Sequence, residues 1–393
     1  MKLIDVCEFI VDCPHSTAAD EGEGYPLIRT PNIGKGHFLL DGVHRVSESV
    51  YNKRNARAVP QNNDLIFARE APAGNVAIIK NDVKMCLGQR TVLIRPNKEK
   101  VNPDFLNYFL LAPQQQYGLL GTANGSTVAH VNLPTIRDLE IDLPPMQTQK
   151  RIADILSAYD ILIENNQKQI KLLEEAAQRL CKEWFVDLRF PGHENVKIVD
   201  GVPEGWKRST LGEIASILRR GISPKYDDGG KYLVISQKCI RRSIMDTGEA
   251  RRESKEYAPE LNLQDADTVI CSTGTGTLGR VGQVCGTYPD TTFDSHVTLV
   301  RTENYQNFFY QAIKSQQEFL MGMGRGSTNQ QELYRDVIES LQILMPTQEI
   351  LNKAEKMLSS IHHKVTALNS QILLLIEVRD RLLPKLMSGE LEV

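Results

Sequence analysis

Paired cysteines, long apolar runs and a dominant charge are all missing from this sequence. The seven cysteines are scattered through 393 residues and none forms a C-x-x-C pair. That argues against a structural zinc site or a disulfide framework and fits a reducing cytoplasm. No apolar run reaches the roughly 18 residues that a membrane-spanning helix needs. Asp5, Glu8 and Asp12 occupy positions where a signal peptide needs apolar residues, so the chain is expected in the cytoplasm. With 46 Lys+Arg against 49 Asp+Glu the net charge is −3. No global basic field advertises nucleic acid, and any such contact must come from local clusters. What is left is an ordinary globular composition, 41% hydrophobic and 24% charged, in a chain long enough for two or three domains with full cores.

Glycine and proline are absent from Met146 through Phe185. Within that stretch Ile152, Leu156, Tyr159, Ile163, Asn166, Ile170, Leu173, Ala177, Leu180 and Trp184 recur at alternating steps of four and three. This is a heptad seam, the mark of a helix packed along its length on another helix. About 38 helical residues give a rod of about 57 Å. A second seam in the same chain reads Leu351, Ala354, Leu358, Ile361, Val365, Leu368, Ile372, Leu375, Arg379 and Leu382. Moving the first seam forward by 202 residues lays Leu156 on Leu358, Ile163 on Val365 and Ile170 on Ile372, and Pro145-x-Gln147 is answered by Pro346-x-Gln348. Asn166 is the polar exception; it sets register from inside the seam or marks a partly solvated stretch. Pro384 is expected to stop the second helix.

The remaining segments duplicate as well. Before the first helix, strand-like runs at Tyr25–Arg29, Asp64–Ala68 and Thr91–Arg95 alternate with turn signals, a short helix is expected over Pro103–Leu111, and Leu139-x-Ile141-x-Leu143 reads as a closing strand. In the second unit Asp64-Leu65-Ile66-Phe67 is matched by Asp267-Thr268-Val269-Ile270. Gln89 to Arg95 is matched by Ser295 to Arg301, Gly125-Ser126-Thr127 by Gly326-Ser327-Thr328, and Leu139-x-Ile141-x-Leu143 by Leu341-x-Ile343-x-Met345. The separations stay between 201 and 206 residues, which argues for duplication. Differing side chains in the matched loops suggest one scaffold presenting two surfaces.

This layout resembles the specificity subunits of type I restriction–modification systems. The residues that carry the likeness are Leu143-Pro144-Pro145 with Gln149 before helix one, Ile161-Leu162-Ile163-Glu164-Asn165-Asn166 inside it, and Leu180-Cys181-Lys182-Glu183-Trp184-Phe185 at its end. Val202-Pro203-Glu204-Gly205-Trp206 opens the second unit, and the run from Arg379 through Leu383-Pro384-Lys385-Leu386-Met387-Ser388-Gly389-Glu390 closes the chain. One departure is the single proline of Met345-Pro346-Thr347-Gln348. The resemblance implies an α+β fold: two similar β-rich target-recognition domains separated by two long antiparallel helices in an intramolecular coiled coil. The expected segments are domain one at 1–143, helix one at 144–185, a linker at 186–205, domain two at 206–343, helix two at 344–383 and a tail at 384–393. The resemblance also implies that each domain reads one half of a split site in double-stranded DNA, and that the helices act as a ruler. Two DNA methyltransferase subunits would dock, and restriction translocase subunits could join. The chain itself would do no chemistry, with S-adenosylmethionine, ATP and Mg²⁺ confined to partner subunits. A rod of about 57 Å exceeds one 34–36 Å turn of B-DNA, so two end-mounted readers would leave a fixed unread spacer. Differing loops imply an asymmetric site.

Phosphates and base edges are met by Arg, Lys, hydroxyl and amide side chains. In unit one the candidates are Arg69, Gln89, Arg90, Asn124, Ser126 and Thr127. Arg69 has the competing reading of an ion pair with Glu70 or another neighbour. In unit two they are Arg219, Arg220, Lys225, Ser272, Thr273, Arg280, His296, Arg325, Ser327, Thr328 and Asn329. His296 has the competing reading of a satisfied loop histidine. Arg241-Arg242 and Arg251-Arg252 have glutamates nearby and read as solvated faces.

Signals of chemistry are weak. Gly274 to Val281 nearly fits a phosphate-binding loop, but Arg280 replaces the lysine and Val281 the metal-binding hydroxyl; a turn-rich, DNA-facing loop is the better reading. Asp142-Leu143-Pro144-Pro145-Met146 is set apart from an amino-methyltransferase motif by its intervening Leu and its Met, and reads as the start of a helix. His362-His363 has no ligand at metal-site spacing and reads as surface and flank. Neither a nucleophile motif nor a metal site emerges. Two rival readings are a non-catalytic coiled-coil scaffold for protein partners and a methyltransferase with fused recognition domains. The second lacks both a cofactor motif and a catalytic motif.

Overall fold

The computed structural model describes residues 1–121, 129–241, 243–326 and 331–393. The chain forms two compact units, Met1–Glu164 with Leu373–Val393, and Asn165–Ile372. Helix one runs Met146–Cys181 over 36 residues and helix two Gln348–Ser388 over 41. These lengths correspond to about 54 and 62 Å. Each unit therefore contains part of both helices.

Unit one is built on a four-stranded antiparallel sheet in the order Cys7–Asp12, Thr91–Pro96, Leu65–Ala68, Val76–Ile78. Alternate residues of a strand point to opposite faces. On one face Leu65, Phe67, Val92 and Ile94 pack against Phe105 and Phe109 of the helix Pro103–Leu111, with Ile152 and Leu156 of helix one and Leu386 of helix two. On the other, Ile66, Ala68 and Leu93 pack on Ile28, Ile33 and Leu87. Burial on both sides is why these strands read as unbroken apolar runs.

Unit two repeats the construction with Ile217–Arg220, Val297–Arg301, Thr268–Cys271 and Val281–Gln283 in the same sheet order. Ile270, Val281 and Val300 meet Phe308 and Phe309, Ala177 of helix one and Leu358 of helix two. Val269, Cys271, Val297 and Leu299 meet Ile235 and Phe293 on the opposite face.

The same ion pair staples both sheets. In unit one Arg95 Nε and Nη2 donate to the two oxygens of Asp64 at 2.9 and 2.7 Å. In unit two Arg301 Nε and Nη2 donate to Asp267 at 2.7 and 2.6 Å. The carboxylate side chains are only 3% and 2% exposed. Burial pushes the Asp267 carboxyl up, opposed by the Arg301 hydrogen bonds.

The helix pairing is antiparallel within each unit. In unit one Leu156 shares a core with Leu386, and Arg379 Nη1 donates to Asp160 Oδ1 at 2.6 Å. In unit two Ala177 shares a core with Leu351 and Leu358, and Asn166 Nδ2 donates to Gln371 Oε1 at 3.2 Å. Leu156, Ile163, Asn166, Ile170, Leu358, Val365, Leu368 and Ile372 are buried, while Tyr159, Leu173, Ile361 and Leu375 are half-buried.

Three expectations need correction. Pro384 lies inside helix two, which continues to Ser388. Burial of Leu386 in the unit-one core, with Leu382, Leu383 and Met387 packed on it, outweighs the one hydrogen bond that proline removes. The segment Leu139–Leu143 makes only a single bridge, Lys2 to Glu140, and no strand. Its counterpart Gln342–Met345 is a full strand because Lys207–Thr210 is available to pair with it. Finally, 186–205 is not plain linker. It carries the hairpin Ile198–Val199 with Val202–Pro203, and Phe190 is buried with Trp184 and Trp206.

Removing one partner of a buried ion pair strands the other charge. Asp64→Ala and Asp267→Ala are each expected to destabilise the unit that carries them by about 3–5 kcal/mol. Denaturant unfolding, with hydrogen exchange to localise the loss, checks this; a change below the measurement error would contradict it.

Candidate nucleic-acid interface

In each unit the strand ends at one edge of the central sheet bring polar side chains together. Asp12 ends the first strand of unit one, and Arg69 and Glu70 follow the strand Leu65–Ala68. Arg90 precedes Thr91, and His130 arrives from the segment after the short helices. The backbone fixes this convergence: Arg69 N–H donates to Arg90 O at 2.9 Å and Val131 N–H to Arg69 O at 3.0 Å. Unit two repeats both bonds at 2.8 Å, Ser272 N–H to His296 O and Leu333 N–H to Ser272 O. Asp12 pairs with Val92 where Arg220 pairs with Thr298. Five positions thus correspond: Asp12 with Arg220, Arg69 with Ser272, Glu70 with Thr273, Arg90 with His296, and His130 with Glu332.

Their chemistry differs. The Arg69 side chain is 11% exposed. Its Nη1 donates to Asp12 Oδ2 at 2.7 Å, its Nε to Val131 O at 2.9 Å and its Nη2 to His130 Nε2 at 2.9 Å. Arginine has no acceptor, so His130 Nε2 accepts and Nδ1 donates to Glu70 Oε1 at 2.5 Å. Glu70 Oε2 also holds Arg90 Nη1 at 2.7 Å. In unit two Ser272 is fully buried and its hydroxyl meets Thr298 Oγ1 at 2.5 Å. Thr273 Oγ1 meets His296 Nδ1 at 2.5 Å. Arg220 Nη1 donates to Glu332 Oε2 at 3.1 Å and holds that carboxyl below the ordinary carboxylate value.

The predicted residues therefore separate. Arg69 and Ser272 are structural: Arg69 directs its donors inward to Asp12, His130 and the Val131 carbonyl, and Ser272 has no exposed surface. The ion-pair alternative for Arg69 involves Asp12 rather than Glu70. Arg90 and His296 are exposed; within unit two Glu332 meets Arg220 through its side chain and Arg325 through a backbone bridge. Thr273 is buried behind His296. Gln89 accepts from Thr17 Oγ1 at 3.3 Å. Arg219 is exposed 4.0 Å from Glu260, Lys225 is exposed and Arg280 half-buried. Asn124, Ser126, Thr127, Ser327, Thr328, Asn329 and Arg242 lie outside the described residues.

Sequence reasoning missed a recess of about 410 Å³ beside His296, lined by Tyr226, Gln237, Lys238, Arg251 and Asp294 among others. Arg251 is exposed, in keeping with a solvated face, and its guanidinium also sits 3.7 Å from the Tyr226 ring centre, a cation–π contact. Burial pushes the Asp294 carboxyl up. The only sequence signal was Arg251-Arg252 itself, because Tyr226 lies 25 positions away.

His362 also needs correction. It is 4% exposed, not a surface residue. The acceptor-only carboxylate of Glu355 takes Asn307 Nδ2 at 2.9 Å, Asn307 Oδ1 takes Gln283 Nε2 at 3.0 Å, and this turns Gln283 Oε1 toward His362 Nδ1 at 3.1 Å. His362 Nε2 faces Asp265 Oδ1 at 2.9 Å. The ring thus ties helix two to the loop and strand of its own unit. Among the described residues no group of three or more His, Cys, Asp or Glu is placed to hold a metal ion, and no helix is long and apolar enough to cross a membrane.

The type I restriction modification DNA specificity domain matches the chain twice, over residues 1–175 and 203–378. The chain belongs to that family. Across its full length it is 27% identical to the MjaIX specificity subunit of Methanocaldococcus jannaschii, covering 93% of that protein. It is 23% identical to the HindI specificity subunit of Haemophilus influenzae, with 93% of this chain and 94% of that one aligned. The crystal structure of the S subunit from M. genitalium has the same fold, with a TM-score of 0.57 at 19% identity over 98% of this chain and 95% of that one.

Burial raises Asp265, but the hydrogen bonds from His362 and the Gly286 N–H bring its carboxyl below the ordinary value. A carboxyl lowered in the folded state contributes stability that is present above about pH 4 and is lost as pH falls through the lowered value. Asp265→Asn is expected to lower the melting temperature at pH 6 and to show a shallower loss than the unsubstituted protein from pH 4 to 3. Parallel melting curves across that range would exclude this linkage.

Proposed function

We propose that this chain is the DNA-recognition subunit of a type I restriction–modification enzyme. Each unit reads one half of an asymmetric, bipartite site in double-stranded DNA. The paired helices set the unread spacer and dock two methyltransferase subunits, which restriction translocase subunits can join. The chain performs no chemistry alone, and S-adenosylmethionine, ATP and Mg²⁺ serve the partner subunits. The observation that carries this reading is a duplicated sheet edge with one backbone geometry and two different polar sets, as two readers of unlike half-sites require.

The docking role is supported by apolar side chains that the helix pairing does not use. Ile161 and Leu162 of helix one and Leu373, Leu374 and Val378 of helix two are exposed in unit one. Solvent-facing leucines and isoleucines at this density on helices suit a partner's helices.

Co-expression with the cognate methyltransferase subunit in a methylation-free host should create a new split methylated motif with constant spacing, read by long-read sequencing. The isolated chain should methylate nothing; methylation by it alone would sink the proposal. Duplex binding should weaken steeply with salt, as phosphate contacts demand, whereas a protein scaffold would bind no duplex. Leu162→Glu with Leu374→Glu should abolish co-purification of the methyltransferase while leaving the melting temperature within a few degrees. Undiminished co-purification would place the docking face elsewhere.

A further inference from the structure

Among the five corresponding positions, the one held by Arg90 and His296 is alone in combining an exposed side chain in both units with a buried or mostly buried partner that grips it from behind. The Arg90 side chain is 55% exposed, and Nη1 is anchored to Glu70 Oε2 at 2.7 Å. Glu70 is itself held by His130, which is held by Arg69. His296 is exposed, its ring Nδ1 is anchored to the buried Thr273 hydroxyl at 2.5 Å, and its backbone N–H donates to Asp294 Oδ1 at 2.8 Å. Each side chain follows a fixed path out from the sheet edge, since the residue's carbonyl is locked to the strand beside it. A polar group that is exposed, oriented and backed by a network is what base discrimination needs, because a floppy donor recognises all four bases alike.

We propose that Arg90 and His296 occupy the same base-reading position in two different half-site readers, and that the identity of this residue sets one base in each half. This rests on the DNA-recognition reading above. Anchored at one terminal nitrogen, the guanidinium of Arg90 keeps further donors for the O6 and N7 acceptors of a guanine, the fork geometry that lysine lacks. At the matching place in unit two the imidazole offers Nε2 alone, a single contact. Thr273 and Glu70 act through these residues and are positioning residues.

A feature of the backbone supplies a clean variant. Arg90 has φ 65°, in the left-handed region that glycine adopts without strain. Arg90→Gly therefore removes the side chain without a backbone penalty. The full chain, co-expressed with its methyltransferase subunit, is compared by methylome sequencing as wild type, Arg90→Gly and His296→Ala. The expected result is a loss of roughly tenfold or more in preference for guanine at one position of one half-site in Arg90→Gly, with the other half unchanged. His296→Ala should change one position of the opposite half only. An unaltered motif in Arg90→Gly overturns the proposal. So does a variant that melts normally and co-purifies with the methyltransferase but methylates no site, since Arg90 would then supply affinity without selecting a base. If wild type itself writes no split motif, the underlying reading fails, and that is seen before any variant is compared.

Discussion

A helix with an apolar line along one side must place that line against something. Helices one and two solve this for each other, and the solution dictates much else. Because the pairing is antiparallel, the start of helix one meets the end of helix two inside unit one, and the end of helix one meets the start of helix two inside unit two. The seam then runs on into each globular core: Leu156 and Leu386 belong to the cluster that buries the first sheet, Ala177 and Leu358 to the one that buries the second. Polar pairs across the helices, Asp160 with Arg379 and Asn166 with Gln371, mark register where apolar packing alone would tolerate sliding.

Within that frame the duplication divides the residues by task. The bidentate Arg–Asp pair is kept in both sheets, as is the backbone bonding that gathers the strand ends. The side chains at those ends are not kept: where unit one has a guanidinium packed against a carboxylate and an imidazole, unit two has a hydroxyl–hydroxyl pair, a hydroxyl–imidazole pair and an exchanged ion pair. Stability is thus vested in the buried or mostly buried pairs, Arg69 and Ser272 at the edge among them, and the exposed pair of positions, Arg90 and His296, is the part free to vary. Substitution at a buried ion pair strands a charge and destabilises the fold, whereas substitution at an exposed edge position leaves the core intact.

The heptads, the short helix Pro103–Leu111 and the central strands were legible because periodicity and turn residues are local signals. So was the duplication, since Asp64 and Arg95 recur as Asp267 and Arg301. The fate of Arg69 was not legible, because its partners Asp12 and His130 lie about sixty residues away on either side. The cation–π contact of the exposed Arg251 was not legible either, because Tyr226 reaches it from 25 positions away. His362 looked like surface because a heptad pattern says which face meets the other helix and nothing about a third element arriving at the flank. Pro384 was misread for the converse reason: a local rule was overridden by the burial of Leu386.

The two units are completed in a different order from that in which they begin to leave the ribosome. Unit two is a single continuous stretch, Asn165–Ile372, and its parts are all present once that stretch has emerged. Unit one is not, since its core needs Leu386 and its neighbours from the segment Leu373–Val393. While unit two is being made, the first sheet and the start of helix one wait without Leu386, Leu382, Leu383 and Met387 to complete their core. At synthesis rates of about 5–20 residues per second that wait is on the order of 10 seconds or more, so the core of the first-made unit is the last to close.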